Sequence, residues 1–319
     1  MDGTVLVLAA SDDGEARQVA GALRRQGHPV AWLDLAWFPT RVSVAARLGP
    51  MMWEGSIDTP EGRIDLADVA AVYYRHLAPF EMPEEMSEPE RRFATVEARF
   101  GLGGILSSLP ARWVSHPSAV ADTEYKPVQL AAAAREGFAI PATWLGNAIR
   151  EAQSFTEQQP SGAVYKAIMH KIISEEGAVK AIYTSPADPS AIDERVSLTM
   201  HQLQARVRDA RDVRALVTRG GCEAVEITYA DGFQRLDYRG YYDTVAYRRI
   251  QLDDKTVMRC QRLLAALGLR LGVFDFALTD AGDVLIYEVN PAGQWAWLEE
   301  ETGAPMTGLV VDELTGAAE

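Results

Sequence analysis

Cysteine is scarce in this sequence: Cys222 and Cys260 are the only two among 319 residues. They form no disulfide framework and no metal-ligand spacing, so the expectation is a chain kept reduced in the cytoplasm. Long apolar runs are missing as well. No window approaches the roughly 18 uninterrupted apolar residues of a membrane-spanning helix. The N-terminal MDGTVLVLAASDDGEARQ has no basic segment ahead of its apolar run, which argues against a secretory signal. Positive charge is in deficit: 31 Lys and Arg face 45 Asp and Glu, a net charge of -14. Such a surface has no field that gathers phosphates, so nucleic acid is not an expected partner, and without an apolar span neither is a membrane. Any anion site must be local, built from a few converging Lys and Arg. Internal repeats and low-complexity segments are also lacking.

What is present is an ordinary globular composition, 48% hydrophobic and 24% charged, in a chain long enough for more than one domain. Near the N-terminus VLVLAA reads as a buried parallel strand, because it is continuously apolar rather than alternating. SDDGEARQVAGALRRQG follows as a helix with Ser11 or Asp12 as cap, Val19, Ala20 and Leu23 on one face, and Gly27 as the stop. PVAWLDL completes a strand–helix–strand unit. GSIDTPEGRIDL reads as a hairpin, VAAVYYR as a strand, and EPERRFATVEARFGLGGILSSL as a long helix. GLGG follows a helix and not a strand, so helix packing is favoured over a phosphate loop. Pro117 and Pro141 bracket one further helix of about 16 residues, closed by Gly137. Beyond it come strands: GAVYKAI and GAVKAIYTS joined by a short turn, HQLQARV, and DVRALVTRGGCEAVEI. They are interrupted by the helix DDKTVMRCQRLLAALG, whose apolar face is Val257, Cys260, Leu264 and Leu267.

The chemistry concentrates in GVFDFALTDAGDVLIYEVNPAGQW, residues 272–295. Asp275, Glu288 and Asn290 interrupt runs that should be buried, and an unpaired buried carboxylate is costly. Side chains alternate along a strand, so Glu288 and Asn290 share a face. The TDAGD turn makes an antiparallel pair that brings Asp275 opposite. This oxygen set suits Mg²⁺, which keeps several waters and takes other ligands from phosphates. Structural carboxylates hydrogen-bonded to backbone are the equal alternative.

Basic residues make a second constellation. Lys166 lies in the apolar strand AVYKAI and needs an anion partner or must snorkel; Lys126 opens a helix, and Lys171 reads as solvated. Arg214 and Arg239 are similar interruptions suited to phosphate or carboxylate by their planar forks, although Arg214 could pair with Asp212 or Asp237. Between them HQLQARVRDARDVR breaks and resumes, and its backbone could face a purine edge.

This order of features resembles the ATP-grasp ligases. VYYRH, WVSHPSAVADTEYKPVQLAAAAREGFAIPATWLGN, AIYTSP, LDYRG and FDFALTDAGDVLIYEVNPAGQWAWLEEETGAP resemble one branch in particular, the ATP-grasp ribosomal peptide maturases (graspetide or omega-ester peptide synthetases, microviridin-type ligases). The resemblance implies an α/β chain with an α+β body: a Rossmann-like pre-ATP-grasp domain over residues 1–117, a central ATP-grasp subdomain with leader-peptide docking over 118–200, and a C-terminal subdomain with the metal and phosphate site over 201–319, the last two holding ATP between them. It implies that Lys126 and Lys166 hold the ATP phosphates, that Gln204, Ala205, Arg206 and Val207 frame the adenine, and that Asp275, Glu288 and Asn290 bind Mg²⁺. Arg239 would contact the transferred phosphoryl group; Arg75 and Arg214 would face the peptide or its acyl phosphate. The sequence departs from the family pattern at Ala205, where an acidic residue is frequent, at His76, where a second Arg is common, and at Tyr238, where Trp is usual.

The implied activity is ATP-dependent and ADP-forming. An Asp or Glu side chain of a ribosomally made precursor peptide becomes an acyl phosphate, and a Thr, Ser or Lys side chain of the same peptide closes an ω-ester or ω-amide link. No enzyme nucleophile is required. The alternative is an ATP-grasp amino-acid or peptide ligase resembling glutathione synthetase or the ribosomal-protein glutamate ligases. The branch also implies a homodimer.

Overall fold

A computed structural model describes residues 3–169, 172–175, 178–229, 236 and 244–317, with only the backbone of 172–175 and 178–181. Arg239, Tyr238, Asp237 and Lys171 lie outside the described residues, and the Lys180 side chain is likewise not described. The N-terminal layer begins as β1 (Thr4–Leu8), α1 (Gly14–Arg25) and β2 (Val30–Leu33), with both strands parallel. Asp13, not Ser11 or Asp12, caps α1 by accepting from Ala16 N at 2.8 Å. The antiparallel strands β3 (Ser43–Leu48), β4 (Trp53–Thr59) and β5 (Gly62–Asp65) branch off as a small sheet. β6 (Val69–Tyr74) then returns beside β1, and after α2 (Glu88–Ser107) strand β7 (Arg112–Val114) extends the parallel sheet to the order β2-β1-β6-β7. GLGG sits inside α2 and is no phosphate loop, but a Cβ at Gly101, Gly103 or Gly104 would meet nothing within 4 Å, so close helix packing does not explain these glycines either.

The single helix expected between Pro117 and Pro141 is two, α3 (Pro117–Thr123) and α4 (Lys126–Arg135). Pro127 is the cause: it donates no hydrogen bond and its ring would clash with the carbonyl four residues back, so it is tolerated only in a first turn, and α4 starts afresh at Lys126 after the extended Tyr125. The central sheet comprises β8 (Thr143–Gly146), β9 (Ala163–Lys166), β12 (Ser185–Ala187) and β13 (His201–Ala205), in the antiparallel order β12-β9-β13-β8. A helix α5 (Ile149–Glu157), which the sequence reading passed over, covers it. GAVYKAI does not form a hairpin with GAVKAIYTS. β9 pairs with β12 and β13, while β10 (Ile172–Glu175) and β11 (Ala178–Ala181) form a hairpin of their own.

The third sheet carries the charged stretch 272–295. β14 (Ala210–Thr218), β15 (Cys222–Tyr229), β16 (Val245–Ile250), β17 (Leu271–Thr279) and β18 (Val284–Asn290) pair antiparallel in the order β16-β15-β14-β17-β18. Its two faces are cleanly divided. Val213, Ala215, Val217, Phe274 and Phe276 pack with α3, α4 and α6 (Asp254–Ala266). Phe276 stacks at 5.6 Å on Phe274 and at 6.0 Å on Phe138, each ring worth roughly 1.5–3 kcal/mol of apolar burial. Leu216, Val225, Leu271 and Val273 face the other way. They join the N-terminal core together with Trp295 and Leu298, around α7 (Ala296–Thr302), and with α8 (Met306–Thr315), whose Met306, Val310, Val311 and Leu314 are buried. By alternation Arg214 and Asp275 belong to this second face, which opens into a cleft between the central and C-terminal sheets. Among the described residues no helix is long and apolar enough to cross a membrane.

Candidate functional site

The cleft has a volume of about 520 Å³. From the C-terminal sheet Asp212, Arg214, Asp275, Tyr287, Glu288 and Asn290 reach it; from the central sheet come Lys166, Gln202 and Gln204; from the start of α4 comes Lys126. Strand register explains the assembly. Arg214 pairs with Asp275 and Asp275 with Glu288 across three adjacent strands, so the charges form one row on one face.

The buried carboxylates are met by positive groups. Arg214 Nη1 donates to Asp275 Oδ1 at 2.6 Å and to Oδ2 at 2.9 Å. Among the described residues its acidic partner is therefore Asp275 and not Asp212, while Asp237 lies outside them. Arg214 Nε and Nη2 donate to the Gln294 carbonyl at 3.1 and 2.9 Å. Lys126 Nζ lies 2.5 Å from Glu288 Oε2. Asn290 Nδ2 bridges the two acids, 3.2 Å from Asp275 Oδ2 and 3.1 Å from Glu288 Oε1. Among the described residues no group of three or more His, Cys, Asp or Glu could hold a metal ion. The set here is two carboxylates and an amide, hard oxygen donors of the kind Mg²⁺ takes when phosphates and waters supply the rest.

Gly293 lets the chain pass over this row. A Cβ there would lie 2.8 Å from Val273 Cβ and 2.9 Å from Asn290 Cβ, both stiffly attached to strands, and 3.2 Å from Arg214 Nη2. The NPAGQW loop thus lies directly on the site, which its carbonyls help to hold.

Lys166 Nζ is 3.1 Å from Gln204 Oε1 and 4.4 Å from the centre of the Tyr287 ring. Ala205, Arg206 and Val207 line the same cleft at the end of β13. The Ala205 N–H donates to Ala142 O at 2.7 Å and the Arg206 N–H to Gly162 O at 2.9 Å, so neither of these donors is aimed at the cleft.

Arg75 is placed elsewhere. The sequence reading turned it towards a peptide, but it is 3% exposed and does not line the cleft. Its Nε reaches Asp13 Oδ2 at 3.4 Å and its Nη2 meets Glu15 in a close ion pair. Its Nη1 donates to Ala292 O at 3.2 Å and Gly293 O at 3.3 Å. Glu15 in turn accepts from the backbone N–H groups of Trp295 and Ala296, at the first turn of α7. Arg75 therefore ties the N-terminal layer to the loop above the site. Sequence reading missed Asp13 and Glu15 because acids in the first turn of a helix look like ordinary dipole partners.

His76 does line the cleft, with Nδ1 3.7 Å from Asp13 Oδ2. Burial alone would raise the Asp13 pKa, but the nearby His76 imidazole, the Arg75 charge and the Ala16 N–H outweigh it and hold the carboxyl at about 2. A depressed carboxyl contributes stability that is complete above its ordinary pKa of 3.8 and is lost as pH falls towards about 2. Acid unfolding of Asp13→Asn should accordingly show a flatter stability profile across that window than the wild type. An identical profile in a denaturant series at stepped pH overturns the coupling. The cysteines offer no nucleophile: burial raises both thiols, Cys222 to about 12, so they stay protonated.

Three layers of sheet, a charged row facing a lysine-bearing sheet across a cleft, and a parallel N-terminal domain define the class: the chain has the ATP-grasp fold behind a pre-ATP-grasp domain. Residues 4–121 match the family model described as the MvdD pre-ATP grasp domain. The RiPP-associated ATP-grasp ligase of Chryseobacterium gregarium, solved with ADP and a leader and core peptide, is 22% identical; the match covers 99% of this chain and 98% of that one with a TM-score of 0.89. Macrocyclase MdnB from Microcystis aeruginosa MRC is 25% identical, with 98% and 99% covered and a TM-score of 0.79. The ATP-grasp ligase PsnB, complexed with a phosphomimetic variant of its minimal precursor, Mg and ADP, is 20% identical, with 100% of both chains covered and a TM-score of 0.77. No curated protein matches by sequence.

Proposed function

We propose that this protein is an ATP-dependent, ADP-forming ligase that cross-links side chains of a ribosomally made precursor peptide. The observation that carries the reading is the charged row Lys126–Glu288–Asn290–Asp275–Arg214, which faces Lys166 across a cleft in an ATP-grasp fold. Likeness to ligases solved with a leader and core peptide or with a minimal precursor, and to a macrocyclase, supports the substrate class.

In this reading Lys126 and Lys166 take the triphosphate, leaving their present partners Glu288 and Gln204, while Gln204, Ala205, Arg206 and Val207 border the base. Asp275, Glu288 and Asn290 would hold Mg²⁺, which when bound would neutralise phosphate charge. An Asp or Glu oxygen of the peptide attacks the γ-phosphorus, the bond to the β-phosphate oxygen breaks, and ADP leaves. A Thr or Ser hydroxyl or a Lys amine then attacks the acyl carbon, inorganic phosphate departs, and the nucleophile's proton is lost. The chain's contribution is to place and neutralise charge and to keep water from the acyl phosphate. Arg214 stands beside this chemistry, and the resemblance adds Arg239. The β10–β11 hairpin, which pairs with no further strand among the described residues, is the docking element we assign to the leader. The division at residues 117 and 200 is kept, with α3 and α4 lending apolar faces to the third domain's core. ATP and a newly made peptide meet in the cytoplasm, where this enzyme is placed.

The test is mass spectrometry of a Thr- and Glu-rich peptide encoded beside the gene, incubated with enzyme, ATP and Mg²⁺. Loss of one water per ring with matching ADP release is expected. ADP release driven by free amino acids, with the peptide untouched, would move the protein to the amino-acid ligases.

The expected homodimer is assigned to α2. Phe93, Val96 and Phe100, spaced to share one helix face, are 69%, 50% and 73% exposed, an apolar stripe that a second copy would cover. Light scattering should find Phe100→Lys monomeric where the wild type is dimeric; a dimer in both removes α2 from the interface.

A further inference from the structure

Strand β18 carries one residue more than β17 opposite the site. Asp275 pairs with Glu288 and Phe276 with Ile286, so Tyr287 is the extra residue of a bulge. Ile286 and Val289 both remain in the core, and the two consecutive side chains between them, Tyr287 and Glu288, line the cleft. Strict alternation would have sent Tyr287 to the opposite side from Glu288. The bulge instead sets its ring against Lys166, with Nζ 4.4 Å from the ring centre.

A second support of that ammonium is fixed by proton counting. The Thr143 hydroxyl gives its one proton to Pro141 O at 2.7 Å, so towards Gln204 it can only accept. Gln204 Nε2 donates to it at 2.9 Å, which turns Oε1 towards Lys166 Nζ at 3.1 Å. Gln204 is 1% exposed, so its amide has no freedom to flip away. Burial pushes the Tyr287 phenol up, and the ring is neutral at any working pH. A carboxylate in either place would compete with a nucleotide for the ammonium; a ring face and an amide oxygen orient it without competing.

We propose that Tyr287 and Gln204 are positioning residues that hold the Lys166 ammonium ready for the phosphates of the nucleotide. This rests on the reading of Lys166 as a phosphate ligand. A lysine already confined near its bound position gives up less rotamer freedom when the phosphates arrive. The pair thereby discriminates in favour of phosphorylated adenosine over adenosine itself.

Calorimetric titration of the whole chain with AMPPNP, ADP and adenosine tests this. Tyr287→Leu should weaken AMPPNP and ADP by roughly 5- to 30-fold, the strength of a desolvated cation–ring contact, while changing adenosine by less than about twofold. Tyr287→Phe, which keeps the ring, should restore the phosphate-dependent part. Lys166→Met is the control for the underlying reading. If it leaves AMPPNP affinity unchanged, Lys166 is no phosphate ligand and the inference falls with that reading. If Lys166→Met weakens AMPPNP but Tyr287→Leu does not, the phosphate role stands and the positioning role is overturned. Equal losses for AMPPNP and adenosine in Tyr287→Leu overturn it too, because the ring would then be serving the base. Should Tyr287→Leu not fold, Tyr287→Met also removes the ring and is read by the same three titrations.

Discussion

Glu288→Gln should remove most ATP turnover, by roughly 100-fold, while the protein stays folded. Glu288 is the meeting point of the row: it pairs with Lys126 at 2.5 Å, accepts from Asn290 at 3.1 Å and stands opposite Asp275. The amide that replaces it can still accept from Lys126, so packing survives. What disappears is one negative charge from the set that would face a cation and a triphosphate. Stopped ADP-release assays against circular dichroism melting separate the two effects. Turnover within a few-fold of wild type in a well-folded variant would falsify the assignment of Glu288 to the metal.

Arg75→Ala should act on folding, not on substrate. Its loss leaves the side chains of Asp13 and Glu15, 8% and 9% exposed, as buried acids without their cation, and orphans two loop carbonyls. Breaking a buried pair by removing one partner costs about 3–5 kcal/mol. Arg75→Lys should recover only part of this, because an ammonium cannot span Asp13, Glu15, Ala292 and Gly293 as the planar fork does. Urea unfolding of the three proteins measures it. Equal midpoints for wild type and Arg75→Ala would mean that the N-terminal layer and the NPAGQW loop are held by other contacts.

These two expectations differ in how far the sequence foresaw them. Glu288, Asn290 and Asp275 could be brought together on paper because strand alternation and the length of the TDAGD turn are local facts. Both act within a few residues, and the structure keeps the predicted side of the sheet for all three. Helix α1, the β4–β5 hairpin and the β14–β15 pair were legible for the same reason. The Pro127 break was also written in the sequence and was overlooked beside the stronger punctuation of Pro117 and Pro141.

Sequence by itself determined the parallel N-terminal unit, the strand-rich body, the acidic surface without a phosphate-gathering field, and the residues that would carry charge inside apolar runs. Tertiary structure alone decided which charge each one meets. Arg75 met Asp13 and Glu15 because β1 and β6 lie side by side with α1 rising from the same edge. Arg214 met Asp275 because β14 and β17 are neighbours in one register among several conceivable. Tyr287 reached Lys166 because a single extra residue in β18 shifted it to the cleft side. The physical reason is common to all three. Propensity, capping and alternation are settled over a few residues of chain, whereas ion pairing depends on distances fixed only when strands far apart in sequence choose their neighbours and their register.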